Sequence, residues 1–183
     1  MPTNPLKTLA RRSAAVLALA LAVLPAAAQD PAAGGGEIEV TRTDGDWQTV
    51  CRVGGSPCFI RQRGKAGDGQ EVAEMSIRKV PPQQTEQGTV ESVINVIVPL
   101  GVLLQQGLSI QIDSAEPQVG GFALCAPDGC VLREPLPNAM VEGFRRGVTA
   151  KISFAVPGAE GPQVVSADIS LRGFTAAYQA LQP

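Results

Sequence analysis

The chain has 183 residues, a formal net charge of −2 and no histidine. Because histidine is absent, Ser–His and Cys–His catalytic pairs and histidine-ligated metal sites are excluded. The slightly acidic balance lacks the basic surface that nucleic-acid binding requires, so no nucleic-acid partner is predicted. A chain of this length suits one domain with a single hydrophobic core.

Residues 1–28 have the pattern of a secretory signal peptide. Basic residues, Lys7 first among them, precede the uninterrupted apolar run Ala14–Leu24, and small residues up to Ala28 form a cleavage site. The apolar run is too short to cross a membrane, which takes about 20 residues, and no transmembrane helix is predicted in the mature chain. We therefore predict cleavage after Ala28 and a location in the periplasm or outside the cell, with outer-membrane association left open.

The mature chain is predicted to begin with a flexible linker, residues 29–44, and to continue as one domain, residues 45–183. Within that domain the hydrophobic pattern alternates with a period of two, which is typical of strands with one buried face. The predicted inward-facing residues are Ala73, Met75 and Ile77; Leu108, Ile110 and Ile112; Val148, Ala150, Ile152 and Phe154; and Val165, Ala167, Ile169 and Leu171.

The segment VINVIVPLGVLL, residues 93–104, is apolar at both alternating sets of positions. It predicts a central strand that is covered on both faces and is broken at Pro99. Gly- and Pro-rich turns separate the runs. The whole pattern predicts an all-β fold, namely an antiparallel immunoglobulin-like β-sandwich with a short C-terminal helix.

Two segments have the period of a helix instead. Near the C-terminus, apolar residues recur from Phe174 to Leu181 at helical spacing, which predicts a short helix that docks on the sheet. A second helix of one or two turns is predicted after an N-cap at Asn138, where Met140 and Phe144 lie one turn apart.

All four cysteines lie in the predicted mature chain: Cys51, Cys58, Cys125 and Cys130. An even number of cysteines in an exported chain favours two disulfides. The turn Ala126-Pro127-Asp128-Gly129 would place Cys125 opposite Cys130 in a hairpin, at a Cα separation of roughly 4.5–5.5 Å that a disulfide can span. Local pairing is predicted, with pairing between the two segments as the alternative.

The cysteine spacings fit neither a zinc knuckle nor a Cys-x-x-Cys redox motif, so no metal or cofactor is predicted. Asp113 and Glu116 are the nearest approach to a pair of catalytic carboxylates, but acids in such a turn are ordinarily solvated. No catalytic residue is assigned. Arg61, Arg63 and Lys65 lie on one side of a predicted strand and are a candidate surface for an anionic partner. The simpler interpretation is a solvated strand face that resists edge pairing.

The order of segments resembles the invasion-associated locus B family of exported bacterial proteins. The resemblance rests on "DGDWQTVC", "SPCFIRQ", "VPLGVLLQQGLSIQID", "GFALCAPDGCV" and "ISLRGFTAAYQAL", which together extend from about Gly45 to Leu181. The positions that match the family motifs are Trp47, Cys51, Cys58, Pro99, Gly101, Cys125, Cys130, Gly173 and Phe174. The resemblance implies an exported bacterial protein and supplies no catalytic residues.

Three functions remain after these exclusions. The first is a non-catalytic interaction protein of the envelope that presents disulfide-closed loops to an unknown envelope protein. The second is an invasion factor that contacts a host protein, which requires exposure outside the outer membrane. The third is a carboxylate-dependent hydrolase of envelope glycans that uses Asp113 and Glu116. The sequence makes no prediction about the oligomeric state.

Overall fold

The computed structural model describes residues 37–85 and 88–183, so the predicted signal peptide and the first part of the predicted linker lie outside the described residues. The strands are β1 (Ile38–Asp44), β2 (Trp47–Arg52), β3 (Gly55–Lys65), β4 (Glu71–Thr85), β5 (Gly88–Val98), β6 (Leu108–Ile112), β7 (Gln118–Gly120), β8 (Phe122–Ala126), β9 (Gly129–Pro137), β10 (Thr149–Gly158) and β11 (Gly161–Ser170). The helices are α1 (Asn138–Arg146) and α2 (Phe174–Ala180), and a short 3₁₀ turn spans Leu104–Gln106.

The 11 strands form one antiparallel sheet, in the order β7-β6-β10-β11-β3-β4-β5-β9-β8, with β2 paired to β3 and β1 paired to β2. The two ends of this order, β7 and β8, are consecutive in the chain and only Gly121 separates them. Both edges of the sheet are therefore brought to one place, and the sheet curves into a nearly closed barrel.

The predicted antiparallel β fold with short helices is confirmed, but the two stacked sheets of an immunoglobulin-like sandwich are not. Strand β3 pairs with β2, β4 and β11, and this pairing joins all the strands into a single sheet. The hydrophobic period shows that each strand has one buried face. It does not distinguish a sandwich from a barrel, because strands alternate in both.

The core follows the predicted alternation closely. Most of the predicted inward-facing residues are buried, and Met75, Ile77, Leu108, Ile152 and Ile169 are fully so. Val148 is an exception, because it precedes β10 and is 73% exposed. Strand β5 is central and ends before Pro99 as predicted, yet only one of its faces is buried and the other is half-covered.

The boundaries of three elements differ from the sequence prediction. Residues 38–44, assigned to the flexible linker, form β1 because their backbone pairs with β2 from Ile38 to Asp44. Asn138 is the first residue of α1 rather than its N-cap; Pro137 holds that position and makes no side-chain cap. Helix α2 ends at Ala180, and Leu181 is buried just beyond it.

Helix α2 is fixed to the sheet by both packing and hydrogen bonds. Phe174 and Tyr178 are buried, and the Tyr178 hydroxyl forms a hydrogen bond with the buried Ser92 hydroxyl of β5. Lys79 Nζ donates a hydrogen bond to the Leu181 carbonyl at 2.9 Å. Neither helix of the described chain has the length and apolar character that a membrane crossing requires.

Both disulfides join neighbours in a hairpin, as the local pairing predicts. Cys51 and Cys58 face each other across β2 and β3 with a Cα separation of 4.1 Å. Cys125 and Cys130 face each other across β8 and β9 with a Cα separation of 4.0 Å. The turn between β8 and β9, with its disulfide, is called the stapled tip below.

Candidate functional site

Polar contacts hold the β1–β2 turn against the segment between β11 and α2. The Asp46 N–H donates to the Arg172 carbonyl at 3.0 Å, and Arg172 Nη2 and Nε donate to the Asp46 carboxylate at 2.6 and 3.1 Å. Ser170 Oγ donates to the same carboxylate at 2.8 Å. These hydrogen bonds, first those from Arg172 and then that from Ser170, hold the pKa of Asp46 below its usual value.

Aromatic packing completes this contact. Trp47 Nε1 donates to the Ser170 carbonyl at 3.0 Å, and the Trp47 ring meets the Phe174 ring edge-on with centroids 5.2 Å apart. Gly173, which directly precedes Phe174, has φ +92°, and a Cβ there would clash with the Asp44 carbonyl. The set Asp46, Trp47, Ser170, Arg172, Gly173 and Phe174 is called the clasp below.

A polar groove of about 920 Å³ opens beside the clasp. Asp46 and Ser170 of the clasp lie on one side of it, and residues of β3 lie on the other. Its charged lining consists of Asp46, Arg61, Arg63, Lys65, Glu71 and Asp168. Acidic and basic side chains are interspersed, so the groove presents both signs of charge to a partner.

All three residues of the predicted anionic-partner surface line the polar groove, but its two arginines are already engaged. Arg63 Nη1 lies 3.1 Å from Glu71 and its Nε lies 3.4 Å from Glu74, and these carboxylates raise the pKa of Arg63. Arg61 Nε donates to Gln48 at 3.2 Å. Lys65 forms no ion pair with any residue that the structure describes. Binding of an anionic partner stays a prediction.

The stapled tip lies next to the ion pairs of Arg63 with Glu71 and Glu74. A recess of about 440 Å³ is lined by Arg63, Glu71 and Glu74 on one side and by Asp128 of the tip and Pro99 on another. The register explains this proximity, because Cys130 pairs with Val98 of β5 and the neighbouring part of β5 pairs with Glu74 of β4. The fold thus brings together two features that the sequence shows only separately.

The two carboxylates considered for glycan hydrolysis have different surroundings. Asp113 Oδ1 accepts a hydrogen bond from the Thr149 N–H at 2.9 Å, and both its oxygens lie 3.2 Å from the Val148 nitrogen. Asp113 therefore fixes the start of β10. Glu116 lines a separate recess, together with Glu134 of β9, and Asp113 is not part of that lining.

The family model for the Invasion associated locus B (IalB) protein matches residues 47–182. The chain belongs to this family. It is also similar to invasion protein B homologs of two Brucella abortus strains, 2308 and 9-941, with 28% identity over 151 residues, which cover 81% of this chain and 82% of each relative. Its fold is similar to the crystal structure of invasion associated protein B from Bartonella henselae, with a TM-score of 0.59 and 23% identity over 77% of this chain and 94% of that one.

Most of the invasion-associated locus B motif positions have structural roles. Trp47, Gly173 and Phe174 belong to the clasp, and the four cysteines form the two disulfides. Gly101 has φ +93°, a conformation that favours glycine in the loop after β5. Sequence reasoning missed the Asp46–Arg172 pair and the recess at Glu134, because no local spacing relates residues on strands so far apart in the chain.

Proposed function

We propose that the chain is an exported, non-catalytic interaction protein of the bacterial envelope, and that it binds its partner at the polar groove and the stapled tip. The observation that carries the proposal is the pairing of Arg63 with Glu71 and Glu74 of the neighbouring strand, in a recess that Asp128 of the disulfide-closed turn also lines. Arg63 and Asp128 are exposed, and the ion pairs and the disulfide restrict the conformations of this surface. A preorganised surface loses less conformational entropy when it binds.

The charge arrangement supports recognition more than catalysis. Arg63 forms ion pairs with two glutamates, whereas a nucleophile or general base needs a free lone pair, and a general acid a proton, directed at a substrate. Interspersed charges select a partner with the complementary pattern and oppose others. The envelope location is supported by the predicted leader and by two disulfides, which persist in oxidising compartments.

Capture from native envelopes tests the binding surface. The full chain with both disulfides, tagged after Pro183, is crosslinked to solubilised envelopes, alongside Arg63→Gln with Asp128→Asn. Arg78→Gln is the matched control, because Arg78 is exposed on β4 outside the groove lining. We expect at least a tenfold loss of the captured partner with the groove and tip variant only. Equal capture by all three proteins would assign the interaction to another surface.

Fractionation and intact mass test the location. We expect a soluble periplasmic protein whose mass is that of a chain beginning at Gln29. A mass that includes residues 1–28 would contradict export with cleavage. The relatives are named for invasion, which motivates the alternative of a host-contacting protein. Exposure on intact cells, measured by surface proteolysis, would favour that alternative. Release of soluble fragments from purified peptidoglycan would favour the hydrolase.

A further inference from the structure

The two edges of the sheet meet where β7 lies against β9. Strand β7 pairs with β6 and β8 pairs with β9, but the described residues include no backbone pairing between β7 and β9. Only side chains cross this seam: Glu134 and Leu132 lie so close to Gly120 that a Cβ there would clash with both. The barrel is closed at this point by packing alone.

A groove of about 490 Å³ lies along the seam between β7 and β9 and is called the seam groove. Its lining includes Ile94, Ile110 and Leu132, which are core residues no more than 4% exposed. Helix α1 covers one side with Met140, a flexible side chain that adapts to different ligand shapes. A mostly apolar groove of this size with a few polar groups in its lining has the character of a small-molecule site.

The backbone around the seam groove disfavours an added peptide strand. Pro135 and Pro137 lie on the part of β9 that extends past its pairing with β8, and proline has no N–H to donate to a new strand. The occupant must therefore be held through its own apolar surface and its polar end rather than through a ladder of backbone hydrogen bonds.

The polar lining of the groove selects the charge of that polar end. Glu116 and Glu134 are its ionisable groups, and no lysine or arginine contributes to it. Within the described chain neither carboxylate forms a hydrogen bond or an ion pair through its side chain. Glu134 is half-buried, so the ion pair it would form with a cation is less screened than one at an open surface.

We propose that the seam groove binds a small amphiphile with an aliphatic body and a primary ammonium head. The aliphatic body contacts Ile110, Leu132 and Met140, and the ammonium donates hydrogen bonds to Glu134 and Glu116 at the rim. An anionic amphiphile with the same aliphatic body is disfavoured by repulsion from the two carboxylates. This site is separate from the polar groove, so it stands or falls independently of the proposed function.

Calorimetric titration of the disulfide-bonded chain with octylamine, 1-octanol and octanoate tests the proposal. We expect octylamine to bind roughly tenfold more tightly than octanol, since a charge-assisted hydrogen bond adds to the same aliphatic contact, and octanoate to bind more weakly than octanol. Met140→Trp fills the groove and weakens the binding of all three. Absence of saturable octylamine binding, or equal affinity for octylamine and octanoate, overturns the proposal.

Glu134→Gln keeps the shape of the side chain and removes its charge, so it should reduce the advantage of octylamine over octanol to about twofold or less. Glu160→Gln, which makes the same charge change at the exposed β10–β11 turn, should leave that advantage intact. A full advantage in Glu134→Gln overturns the proposal. Salt gives a readout on the unmodified chain: raising it shortens the Debye length and should weaken octylamine binding but not octanol binding.

Discussion

The clasp and the seam both join elements of the barrel, but they are held together in different ways. The clasp combines a backbone hydrogen bond, an ion pair and edge-on aromatic packing between Trp47 and Phe174. At the seam, β7 and β9 meet through side chains alone, over Gly120. Three family motif positions lie in the clasp. These motif positions therefore contribute to the contact that holds the barrel together, whereas the less restrained seam is the place of the proposed amphiphile site.

The largest difference is expected between two phenylalanines. Phe174 is fully buried between Trp47, Phe144 and Tyr178, whereas Phe122 at the seam is half-buried. Phe174→Ala should lower the free energy of unfolding by about 4 kcal/mol through lost burial and a cavity, and Phe122→Ala by about 1–2 kcal/mol. Urea unfolding monitored by circular dichroism measures both. Equal losses would contradict the distinction between clasp and seam.

Two glycines give the next comparison. Gly173→Ala places a Cβ against the Asp44 carbonyl at a φ of +92°, and should cost about 3 kcal/mol. Gly121, the single residue between β7 and β8, has open space where a Cβ would lie, and Gly121→Ala should change stability by less than about 0.5 kcal/mol. Thermal melting of both variants checks this. Similar melting temperatures would show that the clasp tolerates a side chain at Gly173.

The stapled tip gives a smaller effect on stability and a larger one on motion. Cys125→Ala with Cys130→Ala should lower stability by about 2 kcal/mol, since a short loop releases little chain entropy. Hydrogen exchange should accelerate in residues 126–129 and stay unchanged at Trp47 in the clasp, far along the sheet. A variant that fails to fold would place this disulfide among the contacts that hold the core together.

Asp46→Asn should cause the smallest loss of stability, well under half of the loss in the variant without the Cys125–Cys130 disulfide. The reason is that the ion pair between Asp46 and Arg172 is partly solvated. The folded-state pKa of Asp46 is lowered, so its contribution is fully present above the unfolded pKa of about 3.9 and is lost as the pH falls through the folded pKa. Urea unfolding should therefore show a smaller difference from the unchanged chain at about pH 3 than at pH 7. A difference of equal size at both pH values would contradict this.

The sequence predicts local features of this fold well. The alternation from Leu108 to Ile112 and the helical spacing from Phe174 to Tyr178 depend on neighbours in the chain, and both are confirmed. The local disulfide between Cys125 and Cys130 is confirmed for the same reason, because a tight turn brings its two ends together. The family resemblance is also confirmed.

What the sequence does not predict depends on contacts between remote segments. Alternation in β10 and β11 shows a buried face but not that β11 reaches β3, and this contact makes one curved sheet instead of two flat ones. The polar groove includes Arg63 and Asp168, and the seam groove includes Glu116 and Glu134; no pattern of spacing relates the members of either pair. Both candidate sites are products of the closure of the barrel.

The separation of the clasp residues also determines when the protein can finish folding. Asp46 and Arg172 are 126 positions apart, so Trp47 leaves the ribosome long before the Phe174 ring that covers it. Contacts of such long range form slowly, because the loop between the partners must close before the contact contributes. The clasp therefore forms only after the segment that carries Phe174 has also left the ribosome. A general secretory channel takes up unfolded chains, so a domain whose early strands wait for a partner 126 positions later suits the export predicted from residues 1–28.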